Sequence, residues 1–174
     1  MHRTPWFDRR FPPIEDNGLL PGITERLEGT APRLRSLLVG VERASPVDAG
    51  WSVAQEVGHL IDLEPLWLQR ADDIMRGQPV LTVADLSNRA THDGDHDQWP
   101  VAQLLERFER ARRAFVSTLR QVNDGDLERS AQHPRLGTPM RLIDLAYFVA
   151  EHDDHHLARL RELTTTYGTH SREL

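Results

Sequence analysis

The fold of this chain is decided around residue 150, where residues 142–163 read LIDLAYFVAEHDDHHLARLREL. An α-helix turns by about 100° per residue, which brings the spaced apolar residues of this stretch to one side. These residues are Leu142, Leu145, Val149, Leu160 and Leu163. His156 lies in the middle of the apolar stripe and His152 at its border. The stretch therefore predicts a helix that buries leucine side chains and two imidazole rings on the same face.

The two histidines of this helix need a partner. His152 and His156 are four residues apart, so their rings project from the same face and can share one metal ion. A buried ring without a partner is costly, and a metal, a carboxylate or water would remove that cost. The spacing alone is weak evidence, because a chain with nine histidines often contains such a pair by chance.

A third candidate ring is His59, in an apolar segment that also contains Leu63, Leu66 and Trp67. Two histidines on one helix and one on a facing helix are typical of a metal site inside a helical bundle. Three neutral imidazoles also leave coordination positions for water or substrate, as functional metal sites do. We therefore predict a metal site at His59, His152 and His156, while a hydrogen-bonded core histidine is the ordinary alternative for His59. No catalytic residue is predicted.

Other polar residues receive weaker interpretations. His92 and His96 share the same spacing, but they lie in a polar loop, which favours solvent exposure over metal binding. Glu56, Asp153 and Asp154 either accept hydrogen bonds from imidazole rings and so orient them, or occupy solvated helix positions. For Asp154 the solvated position is the preferred interpretation.

A run of arginines is also interpreted as solvated. Four arginines alternate with Glu106 and Glu109, which predicts a solvent-facing surface of ion pairs. They are Arg107, Arg110, Arg112 and Arg113.

The composition excludes several classes of function. The 174 residues suit one domain, and all 21 cationic residues are arginine against 27 carboxylates, for a net charge of −6. An acidic chain is a poor candidate for binding nucleic acid or an anionic membrane. The absence of cysteine excludes disulfides, thiolate metal ligands and a cysteine nucleophile. With neither a targeting signal nor a membrane-spanning stretch in the sequence, we expect a cytoplasmic protein.

Proline and glycine residues divide the chain into segments. We predict an N-terminal arm (1–17), a helical bundle (18–166) and a C-terminal tail (167–174). Four helical segments are expected within the bundle, with a long crossover connection at 78–99. The first segment runs from about Leu19 to Glu42, with a restart near Pro32 and Thr30 as a cap. The second runs from Val53 to Arg76, with Ser52 and Gln55 as a capping box and a bend at Pro65. The third runs from Val101 to Val122, and the fourth runs from Thr138 to Leu163 with Pro139 in its first turn. Residues 44–50 are predicted to be a loop. The predicted fold class is all-α, a four-helix bundle.

Two segments of the chain resemble the motifs of a known family. Residues 51–60 read WSVAQEVGHL and are followed by Glu64, while residues 151–159 read EHDDHHLAR. Together they resemble the two motifs of the DinB/YfiT-like superfamily, and the resemblance extends from about Leu34 to Leu163. It implies a four-helix bundle with a long crossover, usually dimeric, that holds a divalent ion through three histidines. Matched by position, these are His59, His152 and His156, with His155 as a neighbouring non-ligand.

The resemblance also implies a range of functions. Some members of the superfamily are metal-dependent S-transferases or isomerases that use low-molecular-weight thiols such as mycothiol, bacillithiol or glutathione. We therefore expect a divalent metal (zinc or nickel), a thiol cosubstrate, a small-molecule substrate, a homodimer and no nucleic-acid partner. The competing hypothesis is a non-catalytic metal- or ligand-binding bundle of the stress response. A solvent-reachable apolar pocket at the histidines favours the enzyme, and a sealed site favours the binding protein.

Overall fold

The computed structural model describes residues 4–41 and 50–170, with side chains described as far as residue 165. The predicted loop at 44–50 lies outside the described residues except for Gly50. The helices are α1 (Leu20–Glu28), α2 (Thr30–Leu37), α3 (Val53–Met75), α4 (Arg89–Asp93), α5 (Val101–Gln121), α6 (Asp124–Leu127) and α7 (Leu142–His170). Two short strands, β1 (Ser130–Gln132) and β2 (Pro139–Arg141), form an antiparallel hairpin in which Ala131 faces Met140.

The long helices pack as a four-position bundle. Helix α3 lies against α5 and α7, while α1 and α2 together occupy the remaining position and contact both α5 and α7. The connection between α3 and α5 is long and carries the short α4. The prediction of an all-α four-helix bundle with a long crossover is therefore confirmed. Among the described residues, none of the helices combines the length and apolar character that a membrane-spanning segment requires.

The start of α3 follows the sequence prediction closely. The Ser52 side chain accepts a hydrogen bond from the Gln55 backbone, and the Gln55 side chain accepts one from the Ser52 backbone. These two bonds form the expected capping box, which satisfies two otherwise unpaired N–H groups. Ser52 Oγ also donates to Asp97 Oδ1 at 2.5 Å, which fastens the crossover connection to the start of α3. The helix continues through Pro65 to Met75.

The first helical segment is interrupted close to the predicted position. The helix ends at Glu28 and restarts at Thr30, which agrees with the expected restart near Pro32. Pro32 lies in the first turn of α2, where a missing backbone N–H costs nothing. Thr30 does not cap the helix. Its hydroxyl donates instead to Asp153 Oδ2 at 2.7 Å, a contact with a distant helix.

The beginning of α7 also differs from the prediction. Pro139 belongs to β2 rather than to a first helical turn, and the helix begins only at Leu142. Tertiary contacts decide this, because the hairpin buries Ala131 and Met140 against the core. At its other end α7 reaches His170, past the predicted end at Leu163.

The N-terminal arm packs against the bundle. The Trp6 ring lies 5.2 Å from the Phe148 ring of α7, and Phe11 lies 4.7 Å from the same ring. The Ile14 backbone N–H donates to Asp144 Oδ1 at 2.7 Å. The arm thereby forms a wall beside the N-terminal half of α7.

Gly58 of α3 lies so close to the ring of His96 that no side chain fits there. A methyl group at Gly58 would overlap the ring of His96, which is held in place through Asp62 Oδ2 at 3.0 Å. We therefore expect Gly58→Ala to lower the free energy of unfolding by about 1–3 kcal/mol, the usual cost of overpacking. Urea unfolding of the variant measures this change.

The same substitution should change sign when the ring is absent. In a His96→Ala background, Gly58→Ala should stabilise the protein, because alanine is a better helix former than glycine by about 1 kcal/mol. Destabilisation of equal size in both backgrounds would show that the steric explanation is wrong.

Candidate metal centre

The three predicted ligands come together inside the bundle. His59 of α3 and His152 and His156 of α7 are all buried, and one nitrogen from each ring lies within 4.8 Å of the others. The ring centre of His59 lies 5.3 Å from the ring centre of His152 and 4.8 Å from that of His156. The ring centres of His152 and His156 are 4.5 Å apart. Such a group could hold one metal ion.

His156 is oriented by a buried carboxylate. Its Nδ1 donates to Glu56 Oε2 at 2.6 Å, and Glu56 Oε1 accepts from Arg159 Nε at 2.6 Å. Burial raises the pKa of Glu56, and the charge of Arg159 opposes that rise. With its proton on Nδ1, the ring presents the Nε2 lone pair to the centre of the triad. The structure thus gives Glu56 the orienting role, the first of its two predicted interpretations.

His59 is oriented by a hydroxyl group. Thr91 Oγ1 donates to Asp62 Oδ2 at 3.0 Å, and His59 Nδ1 lies 3.1 Å from the same hydroxyl oxygen. Because the hydroxyl proton is directed at Asp62, the oxygen can only accept from the ring. His59 therefore carries its proton on Nδ1 and leaves the Nε2 lone pair free.

His152 has a buried nitrogen without a partner. Its Nδ1 makes no hydrogen bond among the described residues, and its Nε2 lies 3.2 Å from Nε2 of His156. At most one proton can lie between those two nitrogens, and a protein normally does not leave a buried ring nitrogen unpaired. An added cation near the Nε2 atoms of His152 and His156 would give both of those lone pairs a partner, so the donor set fits a metal ion.

The triad is neutral at physiological pH. Burial lowers the pKa of His59 to about 4, and it lowers the pKa values of His152 and His156 well below their usual range. Aromatic rings surround the group, with Trp51 at 4.7 Å from His59 and Trp67 at 5.7 Å from His152. Neutral imidazole is the form that binds metals.

These shifts predict how the stability of the metal-free protein depends on pH. Burial also lowers the pKa of His133 to about 4, so four buried rings stay neutral while the unfolded chain binds protons below about pH 6.5. Glu56 and Glu64, whose pKa values burial raises, act in the opposite direction. Since the rings outnumber the two carboxyls, the free energy of unfolding should rise as the pH increases from about 4.5 to 6.5. Urea unfolding in the presence of a chelator tests this expectation, which a flat or falling profile contradicts.

A buried charge cluster lies behind the triad. Arg112 of α5 binds Glu64 of α3 through Nε and Nη2, and it binds Asp153 of α7 through Nη1 at 2.5 Å and Nη2 at 3.0 Å. The three side chains are at most 4% exposed. Burial alone lowers the pKa of Arg112, but Asp153 and Glu64 outweigh it and raise the pKa above its usual value. Burial and the charge of Asp153 raise the pKa of Glu64 to about 7 against the pull of Arg112.

This cluster corrects two sequence interpretations. The prediction that Arg112 faces solvent is wrong, although Arg113 is exposed and pairs with Glu109 as expected. Asp153 is neither solvated nor in hydrogen-bond contact with an imidazole, since its carboxylate binds Arg112 and Thr30. Asp154 pairs with arginines of α1 and α2 at the surface.

A pocket of about 720 Å³ opens beside the triad. Its wall is mainly apolar and includes Trp6 and Phe7 of the arm, Trp51, Trp67 and Phe148. All three histidines of the triad line it. The arm and the hairpin contribute to this surface, and no pattern in the sequence indicates that they do.

Residues from the hairpin also reach the pocket. His133 and Arg135, from the turn between β1 and β2, lie on its wall together with Arg70 of α3. Pro134 and Gly137 signal the turn in the sequence, but they give no indication that the turn meets α3. His92 and His96 lie outside the triad, and His96 binds Asp62.

Comparison with known proteins agrees with this architecture. The family model of the DinB superfamily matches residues 24–160. No curated protein matches the chain. Among solved structures, YfiT from Bacillus subtilis superposes with a TM-score of 0.76 at 22% identity, covering 91% of this chain and 94% of YfiT. YfiT is described as a probable metal-dependent hydrolase with an unusual four-helix bundle topology. The structural likeness establishes the shared fold, and the family match covers well over half of the sequence. This chain therefore belongs to the DinB superfamily.

Proposed function

We propose that this chain is a metal-dependent enzyme that acts on a small molecule, with a divalent ion bound by His59, His152 and His156. The convergence of three buried, neutral imidazoles carries the proposal, because the Nε2 atoms of His152 and His156 face each other at 3.2 Å and can share at most one proton. Imidazole ligands suit zinc and nickel, among other transition metals. The description of YfiT as a probable metal-dependent hydrolase gives further support.

The pocket favours catalysis over simple metal binding. A cavity of about 720 Å³ with mainly apolar walls can admit a small organic molecule, and the three histidines lie on its surface. A bundle that only stored or sensed a metal would not need such a space. The open, apolar surroundings of the triad therefore support the enzyme hypothesis over the non-catalytic alternative.

Each part of the site has a separate task. Glu56 fixes the ring of His156 and the Thr91–Asp62 pair fixes the ring of His59, so two lone pairs are held in place. Trp51 and Trp67 pack against the rings and limit the access of water. When bound, a divalent ion supplies Lewis acidity that lowers the pKa of a thiol or a water molecule.

Two nucleophiles are compatible with the site. An external low-molecular-weight thiol would make the protein an S-transferase or isomerase, and the chain itself contains no cysteine that could occupy the metal instead. Water would make it a hydrolase, which the description of YfiT favours. The thiol is our first proposal because the resemblance to thiol-dependent members of the superfamily implies it, and water is the second candidate.

Cobalt substitution distinguishes the two candidates. In Co²⁺-loaded protein, addition of glutathione or another cellular thiol should produce a sulfur-to-cobalt charge-transfer band. Thiol affinity should rise with pH, since a thiol releases a proton when it binds as thiolate. A loaded site that gives no band with any common cellular thiol would contradict the thiol proposal and favour water.

The oligomeric state stays a prediction. Apolar residues on several faces of α3 are the basis for expecting a two-fold homodimer. Light scattering at micromolar concentration tests it, and a monomer would contradict it.

A further inference from the structure

One end of the pocket is rich in hydrogen-bond donors. Arg70 of α3 and His133 and Arg135 of the hairpin turn all line it. Arg70 and His133 are each 2% exposed, so they are largely withdrawn from water. Within the described ranges, neither arginine lies in ion-pair distance of a carboxylate, which is unusual for a buried guanidinium such as that of Arg70.

The ring of His133 cannot satisfy all the donors around it. Arg70 Nη1 lies 3.2 Å from Nε2, and the backbone N–H groups of Arg135 and Leu136 each lie 3.2 Å from Nδ1. A neutral imidazole has one lone pair and one N–H, so it can accept from one side only. Because the backbone N–H groups of Arg135 and Leu136 donate to Nδ1, the proton of the ring lies on Nε2 and Arg70 Nη1 is left without an acceptor there.

Arg135 adds a second unsatisfied donor. Its Nη2 is buried and has no hydrogen-bond partner among the described residues, while Nη1 reaches only the Phe7 carbonyl at 3.5 Å. The Phe7 ring lies 5.3 Å from the guanidinium carbon. The arm thus covers a positive group whose hydrogen-bonding capacity is only partly used within the described part of the protein.

The carboxylates near this end of the pocket already accept hydrogen bonds from other residues. Asp73 accepts hydrogen bonds from Thr82 and Gln69, although its charge still acts on Arg70. Asp85, also on the pocket wall, accepts from Ser87 and from the Arg89 backbone. A ligand that brings its own acceptor oxygens would complete this end of the pocket.

Aromatic side chains connect this end of the pocket to the histidine triad. The guanidinium carbon of Arg70 lies 5.6 Å from the Trp67 ring centre, and the His152 ring centre lies 5.7 Å from that indole. The distance between the guanidinium of Arg70 and the ring of His152 therefore cannot exceed the sum of these two values. A small metabolite spans such a distance.

We propose that the substrate carries a carboxylate, which binds between Arg70 and Arg135 while its apolar body lies along Trp67 and Phe148 with the reacting end at the triad. Two unsatisfied donors match the two oxygens of one carboxylate, and the planar fork of arginine suits that group. A phosphate would present more acceptor oxygens than these donors can serve. The position of the reacting end rests on the function proposed above, whereas the carboxylate subsite rests on the arginines alone.

Binding of a matched pair of probes tests the subsite. The probes are 4-phenylbutyrate and its neutral analogue 4-phenylbutanamide, measured by calorimetry and by quenching of tryptophan fluorescence in chelator-treated, metal-free protein. We expect the acid to bind at least tenfold more tightly than the amide, because hydrogen bonds to charged groups are the stronger kind. Arg135→Gln should remove most of that preference, because it should weaken binding of the acid much more than binding of the amide. Arg113→Gln, on the exposed face of α5, serves as the control with the same change of charge.

The outcomes separate this proposal from the metal proposal. Two results would overturn the carboxylate subsite. One is that the acid binds no more tightly than the amide. The other is that Arg135→Gln, with an unchanged melting temperature, loses affinity for both probes equally. Tighter binding of 2-phenylethyl phosphate than of the acid would overturn it in favour of a phosphate. Because the metal is absent from the assay, none of these results depends on whether the triad binds an ion.

Discussion

Replacing His152 by alanine is expected to abolish stoichiometric metal binding. The proposed site has three protein ligands, and loss of an orienting residue alone commonly costs 10- to 100-fold in metal affinity. Loss of a ligand should therefore weaken binding by more than about 100-fold, while Glu56→Gln, which disturbs the hydrogen bond that orients His156, should fall within the smaller range. Isothermal titration with Zn²⁺ and Ni²⁺ and elemental analysis of the purified proteins measure these effects.

The same variants should lose the thermal stabilisation that metal confers. An ion that binds only the native state raises the melting temperature of the wild-type protein, and a chelator reverses the rise. His92→Ala is the matched control, since His92 lies outside the triad and belongs to the second pair with helical spacing. Full metal content in His152→Ala, or its loss in His92→Ala, would contradict the proposed site.

Replacing Arg112 by methionine is expected to destabilise the protein by about 3–5 kcal/mol, because breaking a buried ion pair from one side has costs of this size. The substitution leaves the carboxylates of Glu64 and Asp153 buried without their counter-charge. The loss should shrink toward acidic pH, because burial raises the pKa of Glu64 and protonation then removes its unpaired charge. Urea unfolding between pH 5 and pH 8 measures both the magnitude and its dependence on pH.

Removing the whole cluster should cost less than removing its centre. In the triple variant Arg112→Met, Glu64→Gln, Asp153→Asn, no formal charge of this cluster stays buried, so much of the lost stability should return. Arg113→Gln, an exposed neighbour, should change the free energy of unfolding by less than about 1 kcal/mol. A small effect of Arg112→Met at pH 8 would show that the cluster does not need its positive charge.

The long helices and the positions of the three histidines on apolar faces were predictable from the sequence because both depend on local periodicity. Whether a residue of α7 faces the core follows from its angle around the helix, so the sequence alone places Leu142, Leu145 and Val149 on the buried side together with His152 and His156. The capping box at Ser52 was equally predictable, since its bonds join residues three apart. The ligand role of the triad stays a prediction that the titrations above must test.

Arg112 shows where this reasoning failed. It lies among alternating arginines and glutamates, a pattern typical of solvated helices, and only the packing of α5 against α3 and α7 brings it to Glu64 and Asp153. The arginine subsite was not predictable for the same reason. Arg70 and Arg135 are 65 residues apart by their numbers in the printed sequence, and nothing local indicates that the hairpin turn meets α3.

By itself, therefore, the sequence determined which long segments are helical, which face of each long helix is apolar, and that His59, His152 and His156 belong to apolar faces. Tertiary structure alone decided which faces meet, and with them the buried charge cluster, the role of Glu56 behind His156 and the aromatic wall supplied by the N-terminal arm. The physical reason is the range of the interactions. Helix periodicity and capping depend on residues within about four positions of one another. Pairing of buried charges and closure of a pocket depend on side chains brought together from distant parts of the chain, so they become visible only when the helices are packed.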